Sequence, residues 1–395
     1  MKVALIGNMN NVFFTALRYF RDLDMDAHLF MYQNEQELFV PENDTYYINK
    51  YNNFIHTLSV DNSGKGLLLA NKKKIKKELK DYDFFIGCGV APALFEKLGY
   101  QLDIFVPYSD EIELTTQDVF QIKNILKYHI RKYTINQQIK GIKNTTKIIA
   151  SAMLEKTKDT IKRLNLENKL VKKYILSVYK EDYKFNIQHQ DLRVTNDLVI
   201  FSNIRHHWKD SSEEDRRKNG TKGVDKLIIG YSKFVKNNPN TTSILMLFEY
   251  GRDVYASKEL IHQLNIEQYV KWFPRMPRKK ILILMKNVDI VVGSLSDAMF
   301  GGVGFEGLSC GKILVHSLLY NNEEYYNEMG HEIPFIMKTN SSEDLEQHLS
   351  DFIKNKDSYI QKSKDNKNWF DKYAGIGLAK EYKKIIEEIY KEKIK

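Results

Sequence analysis

Short apolar runs alternate with amphipathic stretches along most of the chain. Residues 3–7 open it as a buried strand, and 12–24 follow with Phe13, Leu17 and Phe20 at helical spacing. Residues 27–32 resume a strand, and 83–87, 103–107 and 147–151 are further strand candidates. Short apolar runs that alternate with helices predict a parallel sheet covered on both faces. The plan then repeats. Strands are expected at 197–202, 242–248, 270–273, 288–292 and 313–315, with helices at 224–236, 256–264 and 278–286. Between the halves, 179–194 is polar with little periodicity. The expected fold is α/β, with two Rossmann-like doubly wound domains at 1–185 and 186–372 and a last helix in 373–395. Such domains in series place a ligand cleft at the carboxyl ends of their strands.

One turn stands out. Phe300-Gly301-Gly302-Val303-Gly304-Phe305-Glu306 follows the 288–292 strand and leads into a helix-like run. A glycine-rich turn before a helix turns backbone N–H groups toward an anion. Glu306 lies just inside that helix, where it can accept from sugar or ribose hydroxyls. The plainer alternative is a first-turn carboxylate complementing the helix dipole.

Composition narrows the classes. The chain has 395 residues, 43% of them hydrophobic, enough for two globular cores. No run approaches the roughly 20 apolar residues that span a bilayer, and residues 1–7 are too short for a signal sequence. Cys88 and Cys310 lie far apart and show no metal spacing, so a cytoplasmic protein with reduced thiols is expected. The net charge of +9 is uneven. Residues 119–154 contain no Asp or Glu but carry Lys123, Lys127, Arg131, Lys132, Lys140, Lys143 and Lys147, and Lys72–Lys77 forms a second basic cluster. Either these are solvated helix faces, or the 119–154 stretch meets an anionic membrane as a peripheral site. No nucleic-acid module is recognisable, so no nucleic-acid partner is expected.

In their order, these elements resemble the retaining nucleotide-sugar glycosyltransferases of the GT-B fold, the glycosyltransferase group 1 family. The resemblance covers about 150 residues of the second half well and the first half loosely. Ser202-Asn203-Ile204-Arg205 resembles the strand ending in the family's diphosphate-binding arginine, and Lys222-Gly223 its lysine–glycine helix start. Phe248-Glu249-Tyr250-Gly251 resembles its strand and glycine turn. Val270-Lys271-Trp272-Phe273-Pro274-Arg275-Met276-Pro277 resembles the segment whose backbone reads the base. Glu306 falls on the second glutamate of the family's pair. The first glutamate's place is Ala298; Asp297 takes it if the glycine turn holds a one-residue insertion. The family's N-domain histidine has no match among His28, His56 and His129. Ser109, Asp110 and Glu111 stand in a comparable place.

The resemblance implies transfer of a sugar from a nucleoside-diphosphate sugar, UDP or GDP, to a glycan, glycolipid or other hydroxyl acceptor. It implies retention, bacterial-type surface polysaccharide or glycolipid synthesis, and a last helix that packs back on the first domain. Arg205 and Lys222 would meet the diphosphate, Gly301 and Gly302 amides would add donors, and Gly251, Arg275, Met276, Phe300 and Val303 would complete the donor site. Asp297 would hold the sugar, Glu306 the ribose and Asp110 the acceptor hydroxyl. Cations that meet the leaving phosphate stabilise the transition state, so no metal or other cofactor is expected. Asp22-Leu23-Asp24 and Asp81-Tyr82-Asp83 precede strands and read as turn residues. The alternative is a non-catalytic nucleotide-binding or scaffold protein on the same fold.

Overall fold

The structure, a computed structural model, describes residues 1–35, 39–108, 112, 124–150, 155–181, 192–209, 221–296, 299–318 and 320–395. The chain forms two compact units, Met1–Tyr179 with Tyr373–Lys395, and Lys180–Lys372. The division falls at Tyr179/Lys180, a few residues before the boundary read from the sequence. Side chains decide this. Tyr19 Oη donates to the Val178 carbonyl at 3.2 Å and Tyr179 Oη to Asp22 at 2.8 Å, which holds 178–179 in the first unit. Lys180 instead pairs with Asp371 of the second unit at 2.8 Å.

The first unit contains β1 (Lys2–Ile6), α1 (Val12–Asp22), β2 (Asp26–Met31), β3 (Ile55–Thr57), α2 (Gly64–Leu69), α3 (Lys72–Leu79) and β4 (Phe84–Gly87). It continues with α4 (Ala91–Leu98), β5 (Ile104–Phe105), α5 (Ile125–Asn144), β6 (Lys147–Ala150), α6 (Glu155–Arg163) and β7 (Leu170–Lys172). The sheet is parallel, in the order β3-β2-β1-β4-β5-β6-β7. Right-handed crossovers then put α1 on one face and α2 to α6 on the other. The second face is one core, where Ala4, Ile6 and Phe105 meet Leu67, Ile75, Leu94, Ile142 and Ile161. On α1, the Arg18 side chain is buried and pairs with Asp44. Its guanidinium lies 4.4 Å from the Phe14 ring centroid and 4.5 Å from that of Tyr179.

The second unit contains β8 (Leu198–Ser202), α7 (Val224–Asn237), β9 (Ser243–Phe248), α8 (Val254–Gln263), β10 (Val270–Phe273), α9 (Arg278–Lys286) and β11 (Ile290–Val292). After these come α10 (Gly301–Ser309), β12 (Ile313–His316), α11 (Asn322–Met329), β13 (Ile336–Lys338), α12 (Ser342–Lys354) and α13 (Lys356–Tyr373). The sheet is again parallel, β10-β9-β8-β11-β12-β13. Strand order reverses direction between β8 and β11, so the carboxyl ends of those two strands form the switch-point crevice of this unit.

The last helix, α14 (Ile376–Lys393), belongs to the first unit. It covers the α1 face of that sheet. Tyr382 Oη donates to the Tyr174 carbonyl at 2.9 Å, and Lys383 Nζ to the Leu23 carbonyl at 2.8 Å. Lys393 Nζ reaches both oxygens of the buried Asp103 at 3.0 Å. Burial pushes the Asp103 carboxyl up, and the Lys393 charge pulls it back.

Candidate active site

The switch-point crevice is built from the β8–α7 connection and the loop after β11, joined by hydrogen bonds. Ser202 Oγ donates to the Val292 carbonyl at 2.9 Å, which ties the end of β8 to the end of β11. Lys222 N donates to the His207 carbonyl at 3.0 Å, and Leu295 N to the Lys222 carbonyl at 3.0 Å. The loops after β8, before α7 and after β11 therefore run side by side, and Arg205 and Lys222 share one rim. Gly223, with φ +67°, sits where a Cβ would lie 2.9 Å from the Leu295 Cβ.

A second set of contacts fixes the loop carrying Arg205. His206 N donates to the Tyr250 carbonyl at 2.7 Å, and Asp253 N to the His206 carbonyl at 3.1 Å. At Gly251 a Cβ would stand 2.3 Å from the His206 carbonyl oxygen, so no side chain fits there. Trp208 N donates to Asp253 Oδ2 at 2.6 Å, and Trp208 Nε1 to Ser257 Oγ at 2.8 Å. The same hydroxyl lies 2.8 Å from His206 Nδ1. Gly251 thus supports the Arg205 loop through close packing.

The His206 ring is fully buried and stacks at a tilt on Trp272, with centroids 5.3 Å apart. Its Nε2 has no hydrogen-bond partner among the described residues. Burial lowers its pKa from 6.5 to about 4. As pH falls, the unfolded chain takes up this proton first. The stabilising effect of a neutral His206 is therefore complete above pH 6.5 and is lost progressively down to about pH 4. Between pH 7 and pH 5 the expected loss is about 2 kcal/mol. Urea titrations at both values check it, with His206→Gln as the control. The variant should lack that part of the pH dependence, and an unchanged dependence would refute the assignment.

The glycine turn follows the loop after β11. Gly301 begins α10 with φ +54°, and nothing lies within 4 Å of the Cβ position at Gly301 or Gly302. Phe300 anchors the turn from below. It is 1% exposed and packs among Phe305, His316, Tyr325 and Trp369, so its side chain is core and only its backbone borders the crevice. Val303 is half-buried behind it.

Glu306 lies in the second turn of α10, not the first, so dipole complementation does not account for it. It is 7% exposed, and its Oε1 accepts from Arg278 Nε at 3.0 Å. Arg278 is the first residue of α9, directly after the 270–277 segment. The sequence reading missed it, since a pair 28 residues apart leaves no spacing signal. Within that segment Met276 is half-buried and Arg275 is exposed, its guanidinium 4.5 Å from the Tyr250 ring centroid.

Two expected site residues, Asp297 and Asp110, lie outside the described residues, as do Ala298, Ser109 and Glu111. Among the histidines, His28 Nδ1 lies 2.9 Å from His56 Nε2; His28 is the third residue of β2 and His56 the middle residue of β3. Asp83 accepts from Lys2 N at 2.7 Å and Asp24 turns with φ +59°, so both belong to turns. Among the described residues, no cluster of three His, Cys, Asp or Glu side chains is arranged to hold a metal ion.

Comparisons with known proteins agree with this architecture. Residues 216–369, inside the second unit, match the family model described as Glycosyl transferases group 1. No curated protein sequence matches. Among solved structures, Anabaena HepE in complex with UDP and glucose is similar at TM-score 0.63 and 13% identity, covering 98% of this chain and 100% of its own. A glycosyltransferase from Rickettsia africae gives 0.62 at 16% identity, with 98% of each chain covered. WaaG, a glycosyltransferase involved in lipopolysaccharide biosynthesis, gives 0.58 at 14%, covering 97% of this chain and 99% of that one. The fold is GT-B. In GT-B terms, the second unit is the half that matches the glycosyl transferase group 1 model, and its switch-point crevice is the candidate donor site.

Proposed function

We propose that the protein is a glycosyltransferase that takes its sugar from a nucleoside-diphosphate donor, UDP- or GDP-linked, bound at the β8/β11 crevice. The observation that carries this reading is the pairing of a buried carboxylate, Glu306, with an open glycine helix start on the same short helix. In this reading the ribose hydroxyls donate to Glu306 and the diphosphate lies on the Gly301 and Gly302 amides. Arg205 and Lys222, on the facing rim, meet the charge that grows on the leaving phosphate. That arrangement favours the transition state over the ground state. The base lies along 274–277. Asp297 holds the sugar, and Asp110 the hydroxyl of a glycan or glycolipid acceptor. Retention is proposed on the family resemblance alone; the leaving phosphate can then itself receive the acceptor proton, and the two cations serve without a metal. Surface polysaccharide or glycolipid synthesis suits such a donor and acceptor.

Thermal shift with UDP, GDP and CMP tests the donor site. At a hundredfold excess over Kd, one nucleoside diphosphate should stabilise the protein by about 2.7 kcal/mol, a rise of a few degrees in Tm. No shift with any of them would remove this reading. Binding without hydrolysis or transfer of any donor sugar would favour the non-catalytic alternative.

A further inference from the structure

Two histidines of the first unit are joined in a way that the donor site does not use. His28 stands on β2 and His56 on β3, the edge strand of the sheet. The edge is short. Leu29 pairs with Ile55, Phe30 with His56 and Met31 with Thr57, and Leu58 N donates to the Met31 carbonyl at 2.8 Å. Beside this ladder, His28 Nδ1 lies 2.9 Å from His56 Nε2, and the two rings stack with centroids 5.1 Å apart. On its other side, His28 Nε2 lies 3.2 Å from Asp26 Oδ1. An ionised carboxylate only accepts, so its partner assigns a proton to His28 Nε2. In the neutral ring Nδ1 is then a lone pair, and His56 Nε2 donates to it. Asp26, His28 and His56 form one chain that ends at the sheet edge.

Charged and titratable groups face the pair from several elements. Lys2 of β1 lies over the Tyr82 ring at 4.6 Å, and that ring meets His28 edge-on with centroids 5.3 Å apart. Tyr82 Oη lies 3.4 Å from His56 Nε2 and stays a phenol, its pKa pushed up to about 12 by burial and by the charges of Asp26 and Asp81. Arg21 of α1 pairs with Asp26 at 2.9 Å and lies 3.9 Å from the Phe54 ring centroid. Glu78 of α3 accepts from Ser59 N at 3.1 Å, just past the edge strand. Burial and the Lys2 charge lower both histidine pKa values from 6.5, and Asp26 partly offsets this at His28.

The link tolerates one added proton but not two. With one, either ring still offers a lone pair to the other. With both rings protonated, two N–H groups meet across 2.9 Å and no acceptor stands between them. Upstream of β3 the chain is held by other contacts. The Phe39 and Val40 carbonyls accept from Asn8 and Asn11, and Asp44 pairs with Arg18. Loss of the histidine link therefore frees the edge strand and leaves residues 39–44 anchored. We propose that His28 and His56 form an acid-opened clasp, which holds β3 on the sheet at neutral pH and releases it when both rings are protonated. The inference does not rest on the donor-site reading.

Hydrogen exchange of the full chain, read by mass spectrometry and corrected for the intrinsic pH dependence of exchange, tests the clasp. The link is complete above pH 6.5, where free histidine is neutral, and is lost as pH falls below it. A peptide spanning residues 55–58 should lose protection by more than about 10-fold between pH 7 and pH 5, since each ring kept neutral by closure contributes up to about 30-fold over that range. A peptide from β1, inside the same sheet, should keep its protection and so report that the fold is intact. His28→Gln/His56→Gln supplies amides that can make the same link and cannot titrate, so protection at 55–58 should no longer follow pH. His56→Gln alone alters only the half-buried edge position and leaves one titrating ring, and should shrink the loss by about threefold or more. Protection at 55–58 that does not change with pH in the parent, or the full parental loss in either variant, would overturn the proposal.

Discussion

Glu306→Gln should weaken nucleoside diphosphate binding by about 10- to 100-fold, because hydrogen bonds to a charged partner contribute about 1.5–3 kcal/mol. The loss has two sources. The amide presents one acceptor where the carboxylate presents two, and Arg278 loses the counter-charge it meets at 3.0 Å. Arg278→Gln keeps the carboxylate but frees its orientation, so a smaller loss is expected. The double variant should fall short of the sum, since the pair acts as one unit. Titration calorimetry with the nucleotide that stabilises the protein gives these values. A Kd within twofold of the parent for Glu306→Gln would refute its role. Additive losses would mean that Arg278 acts on the nucleotide independently of Glu306.

Arg18→Met should lower the stability of the first unit by about 3–5 kcal/mol. The substitution leaves the buried Asp44 without its counter-charge, and uncompensated buried charge is costly. The guanidinium also fills the gap between the Phe14 and Tyr179 rings, so packing is lost with charge. Asp44→Asn should cost nearly as much. Arg18→Met/Asp44→Leu should recover a large part, because both desolvated charges then disappear together. Urea unfolding measures all three. A loss under about 1 kcal/mol in Arg18→Met would mean that water reaches the pair in solution.

The strands with continuous apolar runs were legible because burial on both faces leaves no polar position to confuse the period. Runs such as Leu198–Ser202 and Ser243–Phe248 stood out for that reason. The strands missed were β3, β7 and β13, each three residues long and at or beside a sheet edge. At an edge one side is open, and a segment such as Ile55-His56-Thr57 carries no pattern of its own. Of the candidate donor site, Arg205 and the glycine turn were legible because each follows a strand end, and Lys222 because it stands at a helix start. Arg278 was not, since only the fold brings α9 beside α10. The position of Glu306 in its helix also needed the structure, because the helix start sets which turn it occupies.

The first unit is completed by a segment that follows the second in the chain. Leu378, Tyr382 and Ile386 of α14 are buried against it. During synthesis the second unit is therefore whole while the first still lacks one layer of its core. The usual N-first order of domain maturation is reversed here. A nascent chain stalled before α14 should hold a protease-resistant second unit and a first unit open to cleavage. Premature termination would accordingly spare the half that carries the glycine turn and damage the half that carries the lysine-rich stretches.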